Sequence, residues 1–192
     1  MSEKFVKVPG LVEEETMGVL REQIVLQAKD GDLIVECGVF LGSTVCYVGQ
    51  ALKKLGVKAK IYAIDNWLCA NISDESKQFV NRSESFLEGF TLNVAKCGLT
   101  DMVTTLQMDS LTAVDYFENN SISFLFLDAS HNYEDVKDEL KAWLPKVKNG
   151  GIICGHDFSD PSVNRAVVEV LGNVNESSSK CAYWIENQCL KN

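Results

Sequence analysis

No stretch of this 192-residue sequence approaches the length of a membrane span, and its opening Met-Ser-Glu-Lys-Phe lacks the apolar core of a secretory leader. The protein is therefore expected in the cytoplasm and away from membranes. No run of Lys or Arg occurs, and the formal net charge is −9. A surface of that sign repels phosphate backbones and anionic headgroups, so nucleic acid is not an expected partner. The seven cysteines (residues 37, 46, 69, 97, 154, 181 and 189) contain no Cys-x-x-Cys pair and are odd in number, which speaks against a zinc site or a disulfide framework. Cys37 and Cys154 fall inside apolar runs, as reduced thiols acting as small core residues do. Internal repeats and low-complexity tracts are also missing, which excludes a repeat architecture.

What is present suits one folded domain. Apolar residues make up 46% and charged residues 23%, close to the averages for soluble globular proteins, so disorder is not expected. Apolar runs of strand length alternate with helix-period segments, the signature of an α/β fold whose parallel sheet is covered on both faces. Residues 1–30 form a helical N-terminal segment, with Met17, Leu20, Ile24 and Ala28 at helical spacing. Leu33-Ile34-Val35 reads as the first strand, and Thr44 to Leu55 as a helix stopped by Gly56. Ile61 to Ile64 is a second strand, ending at Asp65. The stretch 66–85 is polar, weakly patterned and longer than a usual connection, and suits either a lid or binding insertion or a disordered surface loop. Then follow a helix (Phe86 to Lys96), a strand (Val103 to Met108), a short helix (Leu111 to Phe117) and the strongly apolar strand Ile122 to Leu127. Asn132 caps a helix with Val136, Leu140 and Leu144 on one face. Asn149-Gly150-Gly151 turns the chain into the strand Ile152 to Cys154. Asp160-Pro161 opens a last helix that Gly172 stops, and Lys180 to Ile185 is a closing edge strand.

In open parallel sheets, ligands bind outside the carboxyl ends of the strands. Here those ends carry Glu36-Cys37-Gly38, Asp65-Asn66-Trp67, Asp109-Ser110, Asp128 with His131, and His156-Asp157, so each presents a carboxylate. Gly38 and Gly42 lie between strand and helix, where a backbone without Cβ can approach a ligand. Ser43 and Thr44 follow with hydroxyls and free N–H groups at a helix N-terminus, which favours a carboxylate. The turn is not Gly-x-Gly-x-x-Gly and has no phosphate-binding lysine. Glu36 at the strand tip repels a pyrophosphate and welcomes an ammonium, so an amino-acid end suits this site better than a phosphate end. Asp65 is placed to accept from both hydroxyls of a ribose. Trp67 could stack on a base or pack in the core. Asp109-Ser110 could read an adenine amino group or cap the following helix.

Glu36-Cys37-Gly38-Val39-Phe40-Leu41-Gly42-Ser43-Thr44, followed by Ile61-Tyr62-Ala63-Ile64-Asp65-Asn66-Trp67, resembles the first two motifs of class I S-adenosylmethionine-dependent methyltransferases. The runs Phe126 to Val136 and Trp143 to Gly151, with Gly155-His156-Asp157, are similar to one branch of that class. That branch is the macrocin-type or sugar O-methyltransferase-like small methyltransferases. The likeness spans roughly residues 30 to 160. It implies a Rossmann-like three-layer αβα sandwich with a seven-stranded, mostly parallel sheet whose last strand is antiparallel. It also implies that Glu36, Gly38, Gly42 and Ser43, with Val39 and Phe40 of the same turn, surround the methionine moiety of S-adenosyl-L-methionine. Asp65, with Asn66 and Trp67, would hold the ribose region, Asp109 and Ser110 the adenine edge, and Asp128 would complete the set.

Methyl transfer from a sulfonium to oxygen is an in-line displacement that also requires the acceptor to lose a proton. His131 and His156 are the candidate bases, since imidazole titrates near neutrality. Some related O-methyltransferases hold a divalent ion at the ends of the fourth and fifth strands, which matches Asp128, His156 and Asp157 here. The imidazole departs from the usual acid and suits manganese, iron or zinc better than magnesium. The expected activity is O-methylation of a small-molecule acceptor, with segment 66–85 and the region of His131 shaping the acceptor site. Two rivals are a nicotinamide-dependent oxidoreductase, opposed by Glu36 and the missing third glycine, and an inactive methyltransferase-like binding module, opposed by the near-complete motifs.

Overall fold

The computed structural model describes residues 5–68 and 85–187. Strands β1 (Leu33–Cys37), β2 (Lys60–Asp65), β3 (Val103–Gln107), β4 (Ile122–Leu127), β5 (Val147–His156), β6 (Asn175–Glu176) and β7 (Ala182–Glu186) form a seven-stranded sheet in the order β3-β2-β1-β4-β5-β7-β6. β1 to β5 are mutually parallel, and β7 runs antiparallel to both β5 and β6. The chain thus builds outward from β1 to β3, then returns to lay β4 on the other side of β1. The carboxyl ends of β1 and β4 flank that reversal, where an open α/β sheet leaves a crevice.

The helices are α1 (Glu14–Leu20), α2 (Ser43–Leu55), α3 (Phe86–Lys96), α4 (Ser110–Ala113), α5 (Tyr133–Trp143) and α6 (Pro161–Leu171). They divide between the faces as the two-residue period of a strand dictates. Ile34, Phe124 and Phe126 pack with Leu20, Val45, Leu52 and Phe90 on one side. Val35, Leu125 and Leu127 pack with Val136, Leu140, Trp143 and Val167 on the other. All six residues of β4 are buried, because helices cover it from both faces. The result is the three-layer αβα sandwich, with Cys37, Cys46, Cys97 and Cys154 as buried core side chains.

The elements follow the sequence pattern with four differences. α1 gives way at Arg21 to a single π turn (Arg21–Val25), although Leu20 and Ile24 are buried as their spacing predicts. Asn132 stands at the N-cap of α5 but its side chain does not accept a cap bond; its amide donates to Asp135, which also takes the Ser130 hydroxyl. β5 begins at Val147 and passes through Asn149-Gly150-Gly151 with a register shift against β4, so these residues are a bulge inside the strand and not a turn before it. β7 is not the edge: the two-residue β6 lies outside it. The expected lid or insertion at 66–85 lies, for residues 69–84, outside the described residues.

Candidate active site

A cavity of about 820 Å³ opens at the carboxyl ends of the strands, within the usual range for small-molecule sites. Gly38, Val39, Phe40, Ser43, Asp65, Asn66, Asp109, Ser110, Asp128, His131, His156 and Asp157 all line it. Chain segments as far apart in sequence as Gly38 and Asp157 therefore converge on one cavity. Glu36, Gly42 and Trp67 are not among the lining residues, and each has a physical reason.

Glu36 is only 5% exposed, and its carboxyl accepts a hydrogen bond from the hydroxyl of Thr44, a residue that does line the cavity. It thus stands behind the wall, one side chain removed from a ligand. Burial pushes its pKa up to about 8 against the Thr44 bond, and the charges of Asp128 and Asp65 add to the rise. Gly42 is in the left-handed region (φ 81°), and a Cβ there would lie 2.7 Å from the Phe90 ring. Its missing side chain makes room for a core aromatic and not for a ligand. Trp67 is buried, donates from Nε1 to the Phe40 carbonyl (2.7 Å) and packs on Phe90 with ring centroids 5.1 Å apart. It braces the loop from below.

Gly38 also answers to packing. A Cβ on it would come 2.0 Å from the Asp128 carbonyl oxygen, so the β1 and β4 tips can close up only over glycine. Asp65 holds the same loop: its Oδ2 accepts from the backbone N–H of both Val39 and Phe40 at 2.9 Å, and its Oδ1 from Trp67 N–H at 2.7 Å. Asp109 Oδ1 caps α4 by accepting from Leu111 N–H at 2.9 Å, while the residue also lines the cavity. The capping reading is thus met by a residue that also borders the cavity. Ser110 Oγ accepts from the Trp143 indole at 3.0 Å.

At the far side of the cavity, two histidines share the acids. Asp157 Oδ2 lies 2.8 Å from His131 Nε2 and 3.0 Å from His156 Nδ1. Asp128 Oδ1 lies 4.0 Å from His131 Nε2 and 3.4 Å from His156 Nδ1. Asp157 adopts φ 53°, which turns its carboxylate back toward both rings. Hydrogen bonds to Asp128 and Asp157 outweigh burial and push His131 up to about 10. Burial pulls His156 down, but its bonds to Asp128 and Asp157, the Asp128 charge and a bond to Glu13 push it up to about 11. Bonds from the two histidines hold Asp157 far below the ordinary carboxylate range. The surrounding acids favour the protonated form of both rings, and a ring must give up that proton before it can take one from an acceptor. One ligand atom each from Asp128, His131 and Asp157 lies within 4.8 Å of the others, a group a metal ion could use. The expected His156 stands beside this set, with Nδ1 3.4 and 3.0 Å from the same two acids and Nε2 turned to Glu13 at 2.7 Å.

Sequence reasoning missed Glu13 and Glu139. Glu13 belongs to a strap, residues 5–13, that runs along α2 and over its N-terminus. Val6 N–H donates to Gln50 Oε1 (2.7 Å), Gln50 Nε2 donates back to the Val6 carbonyl (3.1 Å), and Phe5 packs edge-on against Tyr47. Gly10 lies so close to Ser43 that a Cβ would sit 1.9 Å from its Oγ, and Leu11, Val12 and Glu13 then form part of the cavity wall. Glu139 of α5 is 6% exposed and lines the cavity near Ser110; burial raises its pKa to about 7, opposed by the Ser110 bond and reinforced by Asp109 and Asp135. It sits on the same turn of helix as Leu140, where the apolar stripe alone announced a core position.

Residues 35–158 match a family model described as a methyltransferase domain. Among curated proteins, an uncharacterized Sinorhizobium fredii protein, y4gI, is 23% identical over 136 residues, covering 65% of this chain and 13% of its own length. The chain thus spans about an eighth of that relative. Among solved structures, a SAM-dependent O-methyltransferase from Thermotoga maritima superposes with TM-score 0.65 at 15% identity, over 96% of this chain and 69% of that one. The O-methyltransferase TomG of Streptomyces achromogenes, solved with SAM, gives 0.62 at 14% identity over 92% and 81%. CalS11, a TDP-rhamnose 3'-O-methyltransferase of calicheamicin biosynthesis, gives 0.58 at 18% over 89% and 77%. These likenesses establish a shared fold.

Proposed function

Because the chain belongs to this methyltransferase family, matched from β1 to the end of β5, we propose that it is an S-adenosylmethionine-dependent O-methyltransferase acting on a small molecule. One observation carries the reading. The matched residues include the whole of the cavity wall except Leu11, Val12 and Glu13, with an acid-anchored loop, a helix N-terminus and carboxylates at the ends of β2 to β5. Solved O-methyltransferases of the same fold support oxygen as the acceptor atom.

The bound donor supplies an electrophilic methyl on a sulfonium, which a nucleophile takes in line. The chain's own residues do the positioning. Ser43 offers its hydroxyl, and Ser43 and Thr44 their helix N-terminal N–H groups, to the donor's carboxylate. Glu36, behind Thr44, ionises when an ammonium approaches and balances its charge. Asp65 faces the ribose from its loop-bracing position, and Asp109 with Ser110 borders the adenine. Asp128, Asp157 and the two histidines mark the acceptor side, where the acceptor hydroxyl must shed its proton. Asp128, His131 and Asp157 would hold a divalent cation there, and such an ion lowers the pKa of a hydroxyl bound to it. Two carboxylates with one imidazole suit manganese, iron or zinc.

Calorimetric titration with S-adenosylhomocysteine and with NAD separates this reading from a nicotinamide-dependent enzyme on a similar sheet. Saturable binding of S-adenosylhomocysteine with none of NAD is expected, and NAD binding alone contradicts it.

A further inference from the structure

Seven carboxylates line the cavity, and no lysine or arginine is among the described residues that do so. If the proposed donor reading holds, Asp65 and Asp109 face the donor; of the other five, Glu13, Asp128 and Asp157 gather around His131 and His156, and Asp135 and Glu139 complete the acidic wall. Each histidine is already paired to at least one of those acids, and a divalent ion held there would be balanced by the Asp128 and Asp157 carboxylates themselves, so neither is a spare cation for a substrate anion. The described mouth offers no cation either, being flanked by exposed Leu11, Leu68 and Leu111. Like charges brought together in a poorly hydrated pocket are strongly disfavoured, and this is how sites reject wrong partners.

From this, resting on the methyltransferase reading, we infer the acceptor's chemical class: a hydroxylated molecule that brings no phosphate or carboxylate into the cavity, neutral or cationic at its reacting end. Nucleotide-linked sugars, phosphorylated sugars and RNA are disfavoured as acceptors, because each would carry anions toward Asp128 and Asp157. The selection is made by unbalanced charge and not by a hydrogen bond to one substituent, so it applies to aromatic and sugar hydroxyls alike.

The test uses the full chain saturated with S-adenosylhomocysteine, and saturation is verified first by calorimetry. Failure at that step overturns the donor reading, and the acceptor class that rests on it falls with it. Matched probes are then compared by ligand-observed NMR: 4-methylcatechol, dopamine and 3,4-dihydroxybenzoate in one set, methyl glucoside, glucosamine and glucose 6-phosphate in the other. Neutral and cationic members are expected to bind roughly tenfold or more tightly than their anionic twin in at least one set. An anionic twin that binds as well, or a panel with no preference because all members or none bind, overturns the inference. Glu13→Gln, which keeps a hydrogen-bonding oxygen toward His156 and removes the charge, should narrow the gap. A gap that does not move contradicts the electrostatic cause.

Discussion

Glu36 carries a proton that water would take from it. In the folded chain its pKa is pushed up to about 8, against an ordinary value near 4.5, chiefly by burial. The folded state therefore holds the proton more tightly than the unfolded one. The associated stability is full below the ordinary value, falls as pH climbs through the interval and is gone above about 8. Glu36→Gln removes that titration, so the unliganded variant should gain on the order of a few kcal/mol over the parent at pH 9, with no gain at pH 4. Urea denaturation at the two pH values measures it, and parallel curves would show that Glu36 is not buried in the carboxylic form. The same variant should bind S-adenosylhomocysteine more weakly, because an amide cannot ionise for an ammonium. Trp67 invites a second substitution. Trp67→Phe removes the indole bond to the Phe40 carbonyl and should cost about 1–2 kcal/mol of stability. A loss confined to ligand affinity would instead mean that the ring stacks on the donor. Residue types at strand ends were legible because chemistry shows in composition. The reasons for them were less so: Gly42 serves Phe90 and Gly38 serves the Asp128 backbone, contacts made across long stretches of chain.

Among the elements, the N-terminal strap shows where local pattern stops informing. Its bonds to Gln50 and His156 span 44 and 143 residues, and no periodicity reports a pairing at that range. Gly10→Ala places a methyl on Ser43 and should lift the strap from the N-terminus of α2. Donor affinity should fall by about tenfold, some 1.4 kcal/mol, while global unfolding changes little because the strap is peripheral. Calorimetry beside a thermal melt reads both, and unchanged affinity would remove the strap from the donor site. Strands and long helices, by contrast, were legible from alternation and spacing: β4 and α3 stand where their patterns put them. The two-residue β6 is too short to carry a pattern, which is why β7 looked like the edge. The Gly-Gly pair in β5 looked like a turn because a bulge uses the same residues.

For the whole molecule, the net charge of −9 and the carboxylate-lined cavity act in the same direction. A cationic donor should be drawn in at a rate that falls as salt rises, whereas a neutral ligand's should not. The acid–histidine cluster adds a prediction about metal. Manganese or zinc binding at Asp128, His131 and Asp157 must displace the His131 proton, so binding should release protons and strengthen as pH rises from 6 to 8. Calorimetry in buffers of different ionisation enthalpy counts those protons, and a binding event with no release would rule out His131 as a ligand. No helix among the described residues is long and apolar enough to cross a membrane. The most direct test of the central claim is a crystal structure of the chain soaked with S-adenosylhomocysteine. The account predicts the homocysteine end at Ser43 and Thr44 with Glu36 behind it, the ribose at Asp65, and the adenine beside Asp109 and Ser110. A ligand seated anywhere else, or a cavity that takes up none at saturating concentration, would contradict it.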